Sequence, residues 1–139
     1  MILFYLHLKA AEVDLDTLEY IHLHKTGALL QASVLSGALI AGADDTLLEA
    51  LRTYSRAIGL AFQIIDDILD VTASSEVLGK TAGKDLTADK TTYPKLLGLE
   101  ESKARAESLV KEACGVLNPW SDKAQPLLAL AGYITSRDR

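Results

Sequence analysis

Apolar residues return every three or four positions along most of this chain, the rhythm of helices with one buried face. Leu47, Leu51, Tyr54, Ile58, Phe62, Ile65 and Leu69 fall on such a stripe and predict a long helix reaching about Val71. Its start is marked by Thr46-Leu47-Leu48-Glu49, a capping box in which the first side chain and Glu49 answer orphan backbone amides. An earlier capping-box variant, Asp16-Thr17-Leu18-Glu19, predicts a helix running to about Ala41, bent near Thr26-Gly27 and stopped by Gly42 and Asp44-Asp45. From Thr72 to Asp89 the rhythm fails, and Ser74, Ser75, Gly79 and Gly83 among charged residues predict a polar loop. A short helix after Tyr93-Pro94 to Leu97 follows, then helices over residues 100–117 and 122–136. No strand pattern and no repeat interrupts this order, so the expected fold is all-α, an antiparallel helical bundle.

Composition sharpens that picture. At 139 residues, 49% hydrophobic and rich in Leu, Ala and Ile, the chain can bury a core but is too short for two domains. A net charge of −5 argues against a nucleic-acid partner, which needs clustered basic surface. The longest uncharged stretch, from Thr26 to Ala43, is shorter than the roughly 20 apolar residues of a membrane span and carries Gln31, Ser33 and Ser36. Met1 to Leu8 is apolar without the features of a targeting segment, so the expected compartment is the cytoplasm or the plastid. Cys114 is the one cysteine and has no internal partner.

Candidate chemistry lies within the long helix. Asp66, Asp67 and Asp70 sit in the otherwise apolar run Gln63-Ile64-Ile65-Asp66-Asp67-Ile68-Leu69-Asp70, where unpaired carboxylates are costly to bury. At about 100° per residue, Gly59, Gln63, Asp66 and Asp70 share an arc of about 60°, with Phe62, Ile65 and Leu69 beyond its edge. Asp66 and Asp70 are hard oxygen donors one turn apart, of the kind Mg²⁺ accepts while sharing its other positions with water and substrate phosphate. Asp67 points off this line, toward metal-bound water or a basic residue. The following segment, Gly79 to Lys90, offers Lys80, Lys84 and Lys90 with Gly79 and Gly83, a set able to close over a diphosphate. An acidic motif satisfied by neighbouring lysines, or a plain solvated loop, is the bland alternative for each feature taken alone.

Together these segments resemble the trans-prenyl diphosphate synthases, especially the geranylgeranyl branch. Phe62 to Asp70 resembles the family's second aspartate-rich motif, His24-Lys25-Thr26-Gly27 its Lys-Thr motif, and Gly79 to Lys90 with Thr92-Tyr93-Pro94 its lysine loop. The resemblance implies the isoprenoid synthase bundle, of which this chain is the C-terminal half of a single domain, with an atypical start over residues 1–11. It implies Mg²⁺ held by Asp66 and Asp70, with Asp85 acting through water. It also implies diphosphate contacts from Lys25, Gln63, Lys80 and Lys90, and catalytic roles for Lys25, Thr26, Gln63, Asp66, Asp67 and Asp70. The expected partners are an allylic diphosphate, isopentenyl diphosphate, and a second copy or a full-length synthase. Because the family's first aspartate-rich motif is absent, chain elongation by this chain alone is not expected, and a non-catalytic subunit docking on a full synthase is the alternative function. A terpene cyclase fits the lysine segment less well. The apolar faces of Ile58, Phe62 and Ile65 and of Leu30, Val34 and Leu39 are expected to lie exposed and drive association. His22 and His24, two apart, do not share a helix face and read as polar surface or half-buried groups; Cys114 and Trp120 read as packing, and Glu100, Glu101, Lys103 and Arg105 as a solvated face.

Overall fold

A computed structural model describes residues 13–78 and 91–136. Among them are six α-helices and no strand: α1 (Leu15–His22), α2 (Ala28–Ile40), α3 (Asp45–Leu78), α4 (Tyr93–Leu97), α5 (Leu99–Val116) and α6 (Gln125–Ser136). A π-helical turn, Leu23–Gly27, joins α1 to α2 at the predicted bend, and a 3₁₀ turn, Asn118–Trp120, follows α5.

Both predicted caps move two residues upstream. The Asp14 side chain accepts the Thr17 amide at 2.9 Å, and that of Asp44 accepts the Leu47 amide at 2.8 Å, so each helix begins one residue after an aspartate that the capping-box reading passed over. An acceptor three residues ahead of an orphan amide suffices, with no answering Glu needed. Helix α2 stops where Gly42 takes φ +77°, a left-handed geometry glycine tolerates without strain. Helix α3 continues to Leu78, seven residues beyond the expected end. Loss of apolar rhythm marks the loss of a packing face; backbone helicity persists through residues of adequate propensity. The predicted loop's remainder, residues 79–90, lies outside the described residues, as does the start over residues 1–12.

Thirty-four residues make α3 about 50 Å long, and it is the axis of the molecule. Helices α1 and α2 and the π turn between them pack along it, as does α5, while α4 meets it at Asp67 and α6 at Tyr54. Enclosure from several sides explains why five consecutive α3 residues, Ala57 to Ala61, are all buried. The Tyr54 hydroxyl donates to the Leu127 carbonyl at 2.8 Å and fixes α6 on α3; burial pushes its pKa up to about 12.

One expectation about exposed apolar faces fails and another holds in part. Ile58 and Ile65 are 4% and 9% exposed, because the helices packed around α3 cover them. On α2, Leu30 and Leu39 are exposed as expected, whereas Val34 is half-buried against the core; Leu29 and Ile40 are exposed as well, and no α2 residue is fully buried.

Candidate metal and diphosphate site

Two contacts set the level of the candidate residues against one another. A Cβ built on Gly59 would stand 3.1 Å from the Gly27 Cα, so the π turn crosses α3 at a glycine–glycine contact that admits no side chain. Eight residues along α3, His22 of α1 reaches Asp67, its Nε2 3.5 Å from Asp67 Oδ2. Because the two segments run antiparallel between these fixed points, Lys25 and Thr26 lie at the level of Gln63, one turn from Asp66. Lys25 is exposed, while Thr26, Gln63 and Asp66 are half-buried and Asp70 is exposed. All five come from two elements brought side by side by the Gly27–Gly59 crossing, with Asp70 one turn further along α3 than Asp66.

The π turn has its own local logic. A widened turn displaces a carbonyl from the regular ladder, and single π turns are frequent at functional sites. His24 Nδ1 lies 2.7 Å from the Tyr20 carbonyl oxygen, which can only accept, so Nδ1 carries the proton. The His24 ring also stacks on Tyr20 with centroids 3.8 Å apart. His24 therefore braces the turn that presents Lys25 and Thr26.

Asp67 has a different fate from its neighbours. It is 1% exposed, and its Oδ2 accepts the Tyr93 amide at 3.2 Å while facing His22. Of the two partners expected for it, metal-bound water or a basic residue, His22 is the one beside it. His22, expected at the surface or half-buried, is itself buried, and its ring stacks on Tyr93 at 5.8 Å between centroids. Burial, then the charge of Glu19, raise the Tyr93 hydroxyl above the ordinary tyrosine range, with Arg105 opposing. Arg105 donates to Glu19 at 2.9 Å across from α5 to α1, whereas Lys103 pairs locally with Glu100 at 3.0 Å as a solvated helical pair. Arg105 was expected on that solvated face, Glu19 as a capping acid and Tyr93 only as part of the lysine-loop motif. A signal was present: Glu19 and His22 are three apart and share one face of α1.

The donor set suits magnesium. Among the described residues no three His, Cys, Asp or Glu side chains gather closely enough to hold a metal by themselves. Two carboxylates one turn apart, open to solvent, match an ion that takes one or two protein carboxylates and completes its shell with water and phosphate oxygens. Lys80, Asp85 and Lys90, the other candidates, lie outside the described residues.

An all-helical bundle whose long central helix carries solvent-open aspartates beside a lysine-bearing turn defines a class I isoprenoid synthase architecture. The chain belongs to the polyprenyl synthetase family, whose family model matches residues 5–127. It is 60% identical over 129 residues to the chloroplastic geranylgeranyl pyrophosphate synthase of Capsicum annuum, covering 92% of this chain and 35% of that protein. An apo FPP/GFPP synthase from Zymomonas mobilis superposes with a TM-score of 0.74 at 32% identity, over 91% of this chain and 41% of the other. A geranyltransferase from Helicobacter pylori, complexed with magnesium and isoprenyl diphosphate, superposes with a TM-score of 0.63 at 34% identity, over 89% and 40%. The chain thus spans about a third of the length of the curated relatives it matches. No helix among the described residues is long and apolar enough to cross a membrane.

Proposed function

We propose that this chain furnishes the second-aspartate half of a prenyl diphosphate synthase site, joining an allylic diphosphate to isopentenyl diphosphate, with geranylgeranyl diphosphate as the product class. The observation that carries this reading is the split of the aspartate motif: Asp66 is half-buried one turn from the level of Lys25 and Thr26, Asp70 is exposed a turn further on, and Asp67 is turned into the core. Asp66 and Asp70 would hold Mg²⁺, with Asp85 acting through water. Bound there, magnesium supplies the charge neutralisation that lets an allylic diphosphate leave.

The chain's own residues then have distinct tasks. Lys25, with Lys80 and Lys90, places positive charge against the departing diphosphate, where negative charge grows as the C–O bond breaks. Gln63 and Thr26 offer hydrogen bonds beside the allylic group and orient it. The double bond of isopentenyl diphosphate attacks the allylic carbon, and the proton then lost goes to the released diphosphate. No side chain acts as a nucleophile.

Elongation needs the family's first aspartate motif, which residues 1–139 do not carry, opposite Asp66 and Asp70, and association with a full-length synthase is one way to supply it. The exposed apolar residues Leu29, Leu39 and Ile40 on α2 offer a surface for such association. Plastid or cytoplasm is the proposed compartment. Titrating an allylic diphosphate into the chain by calorimetry, with and without Mg²⁺, tests the reading. Magnesium-dependent binding lost in Asp66→Ala is expected; binding indifferent to both magnesium and Asp66 would overturn it.

A further inference from the structure

The polar side chains buried beside the aspartate motif remain without a task in the reaction. His22 Nε2 is buried without a hydrogen bond, the Asp67 carboxylate 3.5 Å away, and the Tyr93 hydroxyl is buried facing Glu19. Such groups cost stability unless the arrangement returns something, and an apolar residue of similar size could fill either place. Their positions suggest what is returned. Asp67 is next in sequence to Asp66 and within one turn of Asp70, and Tyr93 opens α4 just after the segment bearing Lys80 and Lys90. One carboxylate oxygen, Asp67 Oδ2, faces both the α1 imidazole and the α4 amide.

We propose that His22, Asp67 and Tyr93 form a positioning lock: His22 on α1 and the Tyr93 amide on α4 grip the Asp67 carboxylate and thereby fix the rotation of α3 that presents Asp66 and Asp70 to solvent. On a helix, neighbouring residues differ by about 100°, so a carboxylate pinned inward at Asp67 leaves Asp66 and Asp70 on the outward arc. Rotation of α3 by a fraction of that angle would carry the two metal-facing carboxylates out of alignment with Lys25 and Thr26. Stacking of His22 on Tyr93, and the Arg105–Glu19 pair beyond it, hold the lock from α1 and α5. The proposal rests on the assignment of Asp66 and Asp70 to magnesium and diphosphate, and His22 acts through Asp67 without touching substrate.

The test uses the full 139-residue chain with inorganic diphosphate and Mg²⁺ as the probe. His22→Leu and Asp67→Asn are compared with His22→Gln, which restores an N–H donor, and with Leu109→Ala, a core deletion on α5 that lowers stability without touching the lock. The lock predicts that His22→Leu and Asp67→Asn each weaken magnesium-dependent binding by about 10-fold or more, as partners that orient metal ligands do. His22→Gln then recovers most of the affinity, and Leu109→Ala, despite its lower Tm, binds as the parent does. Binding unaffected in His22→Leu, or weakened equally in Leu109→Ala, overturns the proposal. If the parent chain itself does not bind the probe, the magnesium assignment fails, and hydrogen exchange of the Tyr93 amide still decides on the lock. Exchange faster by about 10-fold in both His22→Leu and Asp67→Asn, with no further gain in the double variant, supports it. Unchanged exchange in His22→Leu overturns it.

Discussion

Asp66 and Asp67 are adjacent in sequence and opposite in environment. One is half-buried beside solvent-open Asp70, while the other is sealed in the core against an imidazole and a backbone amide. The difference shows that an aspartate-rich motif need not be a uniform set of ligands: helical geometry sends neighbours about 100° apart, so one acid can anchor the helix that displays the others. It also makes the two side chains separable by experiment. Removing an outward acid is expected to cost magnesium-dependent binding, and removing the inward one to cost the fold.

The largest effect is expected at Asp67. Asp67→Ala strands the His22 ring and the Tyr93 amide without their acceptor, and should cost about 3 kcal/mol or more, a drop in Tm of about 10 °C by thermal denaturation. Next comes the crossing that sets the level of Lys25 against Gln63. Gly59→Ala introduces a Cβ 3.1 Å from the Gly27 Cα, backbone against backbone, and should cost about 1–3 kcal/mol in urea unfolding while displacing the π turn. A Gly59→Ala chain as stable as the parent would break the argument that α1 and α3 meet there at contact distance.

Smaller effects sharpen the contrast away from the motif. Tyr54→Phe leaves the Leu127 carbonyl without its donor and should cost about 1–2 kcal/mol. The same tyrosine gives a pH dependence. Its folded pKa of about 12 exceeds the ordinary tyrosine value of about 10, so its contribution is complete below pH 10 and is lost as pH rises toward 12. Tyr93 is shifted in the same direction. Urea midpoints measured between pH 9 and pH 11.5 should fall in the parent chain and fall less in Tyr54→Phe. The smallest stability effect, under about 0.5 kcal/mol, is expected for Asp70→Asn, since the side chain is exposed and the amide keeps its shape.

Much of this arrangement was legible in the residues. Apolar spacing located the helices, the bend at Thr26-Gly27 proved to be a π turn, and the arc shared by Gln63, Asp66 and Asp70 separated them from Asp67 before any coordinates were considered. What was not legible is non-local. That Asp67 meets His22, that Arg105 reaches Glu19 across 86 positions, and that Gly59 meets Gly27 depend on which helix lies against α3, and periodicity in one segment carries no information about its partner. The caps were misplaced because the capping-box spacing put them on Asp16 and Thr46, two residues inside the true starts. Asp16 and Thr46 lie close to the helix starts, but Asp14 and Asp44 are the side chains that reach the first free amides.

The most direct test of the divided motif measures Asp66→Ala and Asp67→Ala side by side, each by thermal unfolding and by magnesium-dependent binding of an allylic diphosphate. The account predicts that Asp66→Ala keeps the parent Tm within about 2 °C and loses binding, while Asp67→Ala loses about 10 °C of Tm. Equal loss of stability in both, or binding retained in Asp66→Ala, would contradict it.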